Sequence, residues 1–171
     1  DIREARAGKA DAIIAFMHWG IEYQRQPNEE QKRMAKFCLA NGIDVIIGSH
    51  PHVAQPAYWE TYRKTGDTRD RKRLVLYSLG NFVSNQRDKF TDGGIVFSFN
   101  IRKNRITKAV TVLNPQFLPT WVYIRPKPWS YFILPPDYLA TDTALVSSKT
   151  DRSLMFESFD NNRHHLLQDG S

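Results

Sequence analysis

The 171-residue chain is 41% hydrophobic, 12% aromatic and 25% charged, a globular balance that excludes a disordered or fibrous protein. A chain of this length buries roughly two-thirds of its unfolded surface on folding, so one domain with a real core, spanning residues 1–171, is expected. The net charge of +6 comes from 24 Lys and Arg against 18 Asp and Glu, and no nucleic-acid partner is expected, because the basic residues neither interleave with exposed aromatics nor share a helix face.

Much of the positive charge lies in Arg63–Arg73 and Arg102–Lys108. The first stretch, RKTGDTRDRKR, is interrupted by Asp67 and Asp70 and is expected to be a solvated loop. The alternative is attraction to an anionic polymer or lipid headgroup, which salt would weaken. Cys38 is the single cysteine, so no internal disulfide forms, and a place in a helix is expected for it. No apolar run approaches the roughly 18 residues of a membrane span, and the first residues carry neither an apolar leader segment nor a cleavage signal. No transmembrane segment is therefore expected, and the compartment stays unknown from these features.

In chain order, the run around Asp11, ADAIIAFMHWG, is a short continuous apolar stretch ending in a glycine-containing turn. It predicts a strand buried on both faces with His18 at its carboxyl end. PNEEQKRMAKFCLANG predicts a helix: Asn28 and Gln31 form a capping-box pair, Met34, Phe37, Cys38 and Leu39 recur at helical spacing, and Gly42 is the stop. IDVIIGSHPHV is a second β-branched run that halts at Gly48 and delivers His50 and His52 into a loop. Strand, helix and strand predict a right-handed crossover with a parallel pair. Ligands collect beyond the carboxyl ends of such strands, so both histidine-bearing loops are expected on one edge.

LVLYSLGNFVSN predicts a third strand closing on Gly80, Asn81 and Phe82. GGIVFSFNIRKNRITKAVTVL alternates around a Lys103-Asn104 turn and predicts an antiparallel hairpin, with PTWVYI and WSYFIL as further strand-like pieces. The prolines from Pro115 to Pro136 predict edge strands and wrapping coil there. From Thr141 onward, apolar residues at helical spacing and a closing glycine predict one or two terminal helices. The fold class is α/β: a parallel βαβ unit, then antiparallel strands, then terminal helices.

The candidate site is read from the histidines. Neutral imidazole is the commonest metal ligand, and the His50-Pro51-His52 triplet presents two rings from a backbone that proline stiffens. His18, at the end of the neighbouring strand, adds a third. Glu22, four residues beyond His18, is a candidate either to orient an imidazole or to contact substrate, against the plainer role of a loop glutamate in water. Asn81 either points its amide at a bound phosphate or carboxylate or satisfies the turn backbone, and the second is favoured. Trp19 and Tyr23 either wall the pocket or belong to the core. His164 and His165 are expected on the surface of the last helix.

HWGIEY, GIDVIIGSHPHVAQP, LVLYSLGNFVSNQ and TDGGI together resemble the bacterial capsule-synthesis family that includes poly-γ-glutamate biosynthesis proteins, over about Asp11 to Ile95. That family is similar to calcineurin-like metallophosphoesterases, which build a dinuclear site from amino-terminal aspartate and asparagine-histidine motifs, a later single histidine and a final glycine-histidine-x-histidine loop. The resemblance implies the carboxyl-terminal half of a four-layer calcineurin-like fold. It also implies that His18 is the later single histidine, and that Gly48, His50 and His52 form the final loop with Ser49 inserted. On this reading His18 and His50 ligate one divalent metal (Mn, Zn or Fe) and His52 the other.

The chain departs from the full pattern, since no residue before His18 matches the amino-terminal aspartates or the asparagine-histidine motif. Residues 1–171 are therefore expected to be an incomplete, carboxyl-terminal part of a larger domain, completed by the missing amino-terminal portion or by another chain, and the two metals belong to the complete protein. The function expected is a metal-dependent, phosphoesterase-like hydrolase of capsule or poly-γ-glutamate synthesis, acting on an anionic polymer or phosphoester at the cell envelope. The alternative is a non-catalytic polymer-binding or assembly subunit, because fold alone does not decide activity.

Overall fold

The computed structural model describes residues 1–63, 68, 70–142 and 144–166. A short helix α1 (Ile2–Ala7) leads into strand β1 (Ile14–His18), helix α2 (Glu29–Ala40) and strand β2 (Val45–Ser49). Strands β3 (Ala54–Arg63) and β4 (Asp70–Leu79) follow, then β5 (Gly93–Lys103), β6 (Val110–Pro126) and β7 (Trp129–Leu134). The chain closes with a four-residue helix α3 (Tyr138–Thr141) and the long helix α4 (Lys149–Leu166). The architecture is mixed α/β, with one sheet in the order β1-β2-β4-β3 and a second in the order β5-β6-β7.

β1 pairs parallel with β2, β2 parallel with β4, and β3 antiparallel with β4, while the second sheet is antiparallel throughout. Alternation along the strands divides the interior into two cores. Ile46, Val75 and Tyr77 face α2, where Ala35, Cys38 and Leu39 pack on them. Val45, Leu74 and Leu76 face the other way and meet Val112 and the partly buried Phe97 and Phe99 of the second sheet. A third cluster seats Met155 and Phe159 of α4 on Trp121 and Leu134.

The helix begins as its sequence predicts: the Asn28 side chain accepts from the Gln31 backbone, and the Gln31 side chain accepts from Asn28 N. Its buried stripe is Gln31, Ala35, Cys38 and Leu39. Met34 and Phe37, expected on that stripe, are exposed, because they lie one step around the helix from it. Burial raises the Cys38 thiol pKa, which keeps it an uncharged core group.

Several expectations need correction. β1 is buried on one face only: Ala15 and Met17 pack toward α2, while Phe16 is 78% exposed. β1 is the last strand of its sheet, and the second sheet covers β2 and β4 instead. The two ends of the charged stretch are strand, since Arg63 ends β3 and Asp70–Arg73 begin β4 in antiparallel register. Arg63 and Asp70 are ion-paired at 2.9 Å, and Arg73 turns inward to Asp44 at 3.3 Å. Positions 64–67 and 69 of that predicted loop lie outside the described residues. β6 runs from Val110 to Pro126 through Pro115 and Pro119, although its register against β5 shifts at Pro115, between the pairs Ser98–Gln116 and Asn100–Leu113. The closing glycine, Gly170, lies outside the described residues.

His165 is not a surface residue. It is 7% exposed, and its Nε2 lies 2.7 Å from the carbonyl oxygen of Arg25, to which it donates. Arg25 in turn donates to Asn161 O at 2.9 Å and lies over the Phe90 ring, so α4 clamps the loop after β1. Burial lowers the His165 pKa, opposed by the hydrogen bond to Arg25 O and reinforced by the Arg25 charge. The unfolded chain therefore binds a proton here more readily than the folded one, and stability falls as pH drops through the ordinary histidine range near about 6.5. His164, by contrast, is exposed. In urea titrations of the wild type and His165→Gln between about pH 8 and pH 5, the wild type is expected to lose more stability on acidification. Equal losses in the two proteins would refute this.

Candidate functional site

The β1–β2 register sets His18 opposite Ser49, so the carboxyl ends of the two strands are level. Two backbone bonds extend the pairing into the loops: Trp19 N donates to Ser49 O at 3.1 Å, and Tyr23 N donates to Pro51 O at 2.8 Å. As a result the rings of His18 and His50 lie 4.4 Å apart between centroids, and those of His50 and His52 lie 6.2 Å apart. The expected convergence of three imidazoles on one edge is what the geometry places there. Among the described residues, however, no group of three or more His, Cys, Asp or Glu side chains has the arrangement that holds a metal ion.

The loop carrying these rings is backbone-strained. His50 has φ 104°, His52 φ 61° and the adjacent Tyr23 φ 67°, a region that non-glycine residues rarely enter and that costs on the order of 1–3 kcal/mol each. Such outliers concentrate where a side chain must point in one direction. Pro51, between the two histidines, is buried, and its carbonyl is the acceptor for Tyr23.

Gly48 lets β2 pass beneath Trp19. A Cβ there would lie 2.0 Å from Tyr77 O and 2.5 Å from Trp19 Nε1. The absence of that atom allows Trp19 Nε1 to donate to Tyr77 O at 2.9 Å across the strand. Trp19 also stacks on Tyr77 and packs against the α2 core, so it belongs to the core. Tyr23 is instead 51% exposed and stacks on His52 at 5.9 Å, so it walls the cluster.

Glu22 sits on the cluster, with Oε1 3.7 Å from His52 Nε2. Half of its side-chain surface is open to solvent, so this contact is weak by itself. Asn81 contacts His52 directly: its Oδ1 lies 3.0 Å from His52 Nδ1. Its Nδ2 donates to Thr91 O and to Gln86 Oε1, each at 2.9 Å. Gln86 Nε2 closes the circuit on Tyr23 OH at 3.3 Å. Sequence reasoning overlooked Gln86, which belongs to an irregular loop where no periodicity marks a residue as facing the site.

Behind this surface a buried pair fixes the loop after β1. Gln31 Nε2 donates to Gln55 Oε1 at 2.9 Å, and Gln55 Nε2 donates to Gln24 O at 2.8 Å and Gln26 O at 3.2 Å. One helix-capping residue thereby connects α2, β3 and the loop bearing Glu22 and Tyr23.

The fold and this cluster define a mixed α/β protein that gathers histidines at the carboxyl edge of a parallel strand pair. Residues 1–86, just over half of the 171, match the model of the family described as bacterial capsule synthesis protein PGA_cap, and the chain belongs to that family. It is 36% identical over 95 residues to the "PGA biosynthesis protein CapA" of Bacillus subtilis (strain 168), and 32% identical over 102 residues to the "Capsule biosynthesis protein CapA" of Bacillus anthracis. These matches cover 56% and 60% of this chain but 22% of each relative, so the chain spans about a fifth of the length of the curated relatives it matches.

Replacing Gly48 by Ala is expected to destabilise the fold by about 1–3 kcal/mol, the usual cost of forcing atoms into a filled interior. A urea midpoint unchanged from that of the wild type would show that Tyr77 and Trp19 can move aside.

Proposed function

We propose that this chain supplies the histidine-bearing part of a divalent-metal site in a capsule or poly-γ-glutamate biosynthesis protein with a calcineurin-like metallophosphoesterase fold. It would form the carboxyl-terminal portion of that fold. The observation that carries the reading is the meeting of His18, His50 and His52 at one strand edge. Imidazole nitrogens with a nearby carboxylate, Glu22, are donors suited to Zn, Mn or Fe. The donor types fit such ions, whereas their number does not complete a cage among the described residues. The remaining donors therefore come from another part of a longer protein or from another chain.

Bound there, two divalent cations would activate a water and neutralise charge on a scissile group. The chain's own residues have separate tasks. His18, His50 and His52 supply nitrogen donors, Tyr23 covers one side of the His52 ring, and Asn81 holds that ring from behind. The substrate class would be an anionic polymer or phosphoester, and membership of a capsule-synthesis family supports work at the cell envelope. No described helix is long and apolar enough to cross a membrane.

A second reading, a non-catalytic subunit that binds polymer or assists assembly, is favoured by the lack of a ready-made metal-holding group among the described residues. The two separate in the full-length protein. The enzyme reading expects manganese- or zinc-stimulated hydrolysis of an aryl phosphate. In His50→Ala it should fall by more than the roughly 10–100-fold typical of residues behind the ligands. Poly-γ-glutamate binding that survives chelation, without hydrolysis, would select the subunit.

The 171-residue chain by itself should bind zinc only weakly, as the donors it holds are too few. Tight binding by isothermal titration calorimetry would mean that these residues suffice.

A further inference from the structure

We infer that Asn81 is a positioning residue that locks the His52 ring as its Nδ1–H tautomer and leaves Nε2 as the one nitrogen open to a ligand. The argument rests on which atoms are able to donate. Thr91 O is a backbone carbonyl and only accepts, so the Asn81 atom 2.9 Å from it must be the amide nitrogen. The reversed amide would set two oxygens against each other at that distance. With Nδ2 committed to Thr91 O and Gln86 Oε1, Oδ1 faces His52 Nδ1 at 3.0 Å as an acceptor. The ring nitrogen there must carry the proton.

Both ends of this contact are held rigidly. Asn81 N donates to Gly93 O at 3.1 Å, next to the Gly80–Gly94 bridge that ties the end of β4 to β5. Gly80 has φ 71°, and a Cβ there would lie 3.0 Å from Ala54 N and 3.1 Å from Gly93 O, so the backbone approaches this point without slack. On the other side His52 is held at φ 61° and covered by Tyr23. Gln86 couples these two supports by bonding both Asn81 and Tyr23.

The consequence falls on Nε2. With Nδ1 bearing hydrogen, Nε2 keeps its lone pair and directs it to the side where Glu22 Oε1 lies 3.7 Å away. Two acceptors facing each other across this gap form an electron-rich pocket that favours a positive ion between them. A free histidine side chain prefers the opposite, Nε2–H tautomer, which would point a proton into that space. Asn81 reverses the preference before any ligand arrives, just as partners behind metal-binding histidines fix ring orientation and tautomer. Asn81 therefore acts on the site through His52 without itself touching substrate.

The inference concerns the same cluster as the function proposed above, but it is tested without metal or substrate, so failure of one is distinguishable from failure of the other. Side-chain 15N–1H multiple-bond spectra of the chelator-treated protein at about pH 8.5, where imidazoles are neutral, report which ring nitrogen carries hydrogen, and His52→Gln assigns the signals. The wild type is expected to show protonated Nδ1 and bare Nε2 at His52. Asn81→Ala should move the population toward Nε2–H. Nε2–H in the wild type would overturn the inference, as would intact Nδ1–H in a folded alanine variant. If the alanine variant lacks a dispersed amide spectrum, the wild-type spectrum decides, showing Nδ1–H at His52 or the inference failing.

Discussion

The site depends on the register of one parallel strand pair. In a parallel pair the bonds are evenly spaced and both carboxyl ends point the same way, so a match of Ile14 to Val45 carries through to His18 opposite Ser49. A shift by one residue would turn every side chain to the other face. His18 would then point toward α2, and the imidazoles could not meet. Register is pinned where the strands begin: Asp44 N donates to Ile13 O at 2.8 Å, and the Asp44 carboxylate accepts from Ile13 N at 2.9 Å. Arg6 and Arg73 flank that nearly buried carboxylate at 3.4 and 3.3 Å, leaving it compensated from both sides.

From that register the rest is built by polar contacts at points where the chain is irregular. The loop after β1 has no ladder to hold it, so its carbonyls are satisfied by buried side chains: Gln55 takes Gln24 O and Gln26 O, and His165 takes Arg25 O. Buried polar groups of this kind stabilise only when each is partnered. The arrangement couples distant parts of the chain, since a residue of α4 and a residue of β3 both serve the loop that presents Glu22 and Tyr23. The terminal helix is thus part of what shapes the site, although none of its residues contributes to the histidine cluster.

Much of this was legible in the sequence because it follows from local rules. The β1–α2–β2 unit could be read from two apolar runs, a capping box and a glycine stop, and each histidine was placed by the end of its strand. The capping pair Asn28 and Gln31 formed as read, yet the further use of Gln31 as partner to Gln55 could not be read, since it depends on a residue brought near only by folding. The face of α2 was misjudged because Met34 and Phe37 are apolar in composition while Ala35 and Gln31 occupy the contact. Position 165 was misjudged for a related reason: a histidine near a helix end reads as solvated until its acceptor, a carbonyl 140 positions away, is known. β3 went unread because its alternation is broken by Pro56 and obscured by the charged residues that follow.

Strain shows what the cluster is organised around. His50, His52 and Tyr23 hold positive φ in a fold whose net stability is of the order of 5–15 kcal/mol, and together they forgo a sizeable share of it. Glycine at any of these positions would relax the backbone at little steric cost. It would also remove an imidazole or the ring stacked on one. Lys9, Phe90, Lys108 and Asn114 also hold positive φ, and what distinguishes the three positions at the cluster is that their rings lie against one another. The contacts behind His52 carry the same logic one step outward: Asn81 commits both amide hydrogens to Thr91 and Gln86 and turns its oxygen to His52, leaving the ring one orientation and one exposed nitrogen. Backbone strain, register and tautomer are three separate constraints, and each restricts where the same nitrogen lone pairs can point.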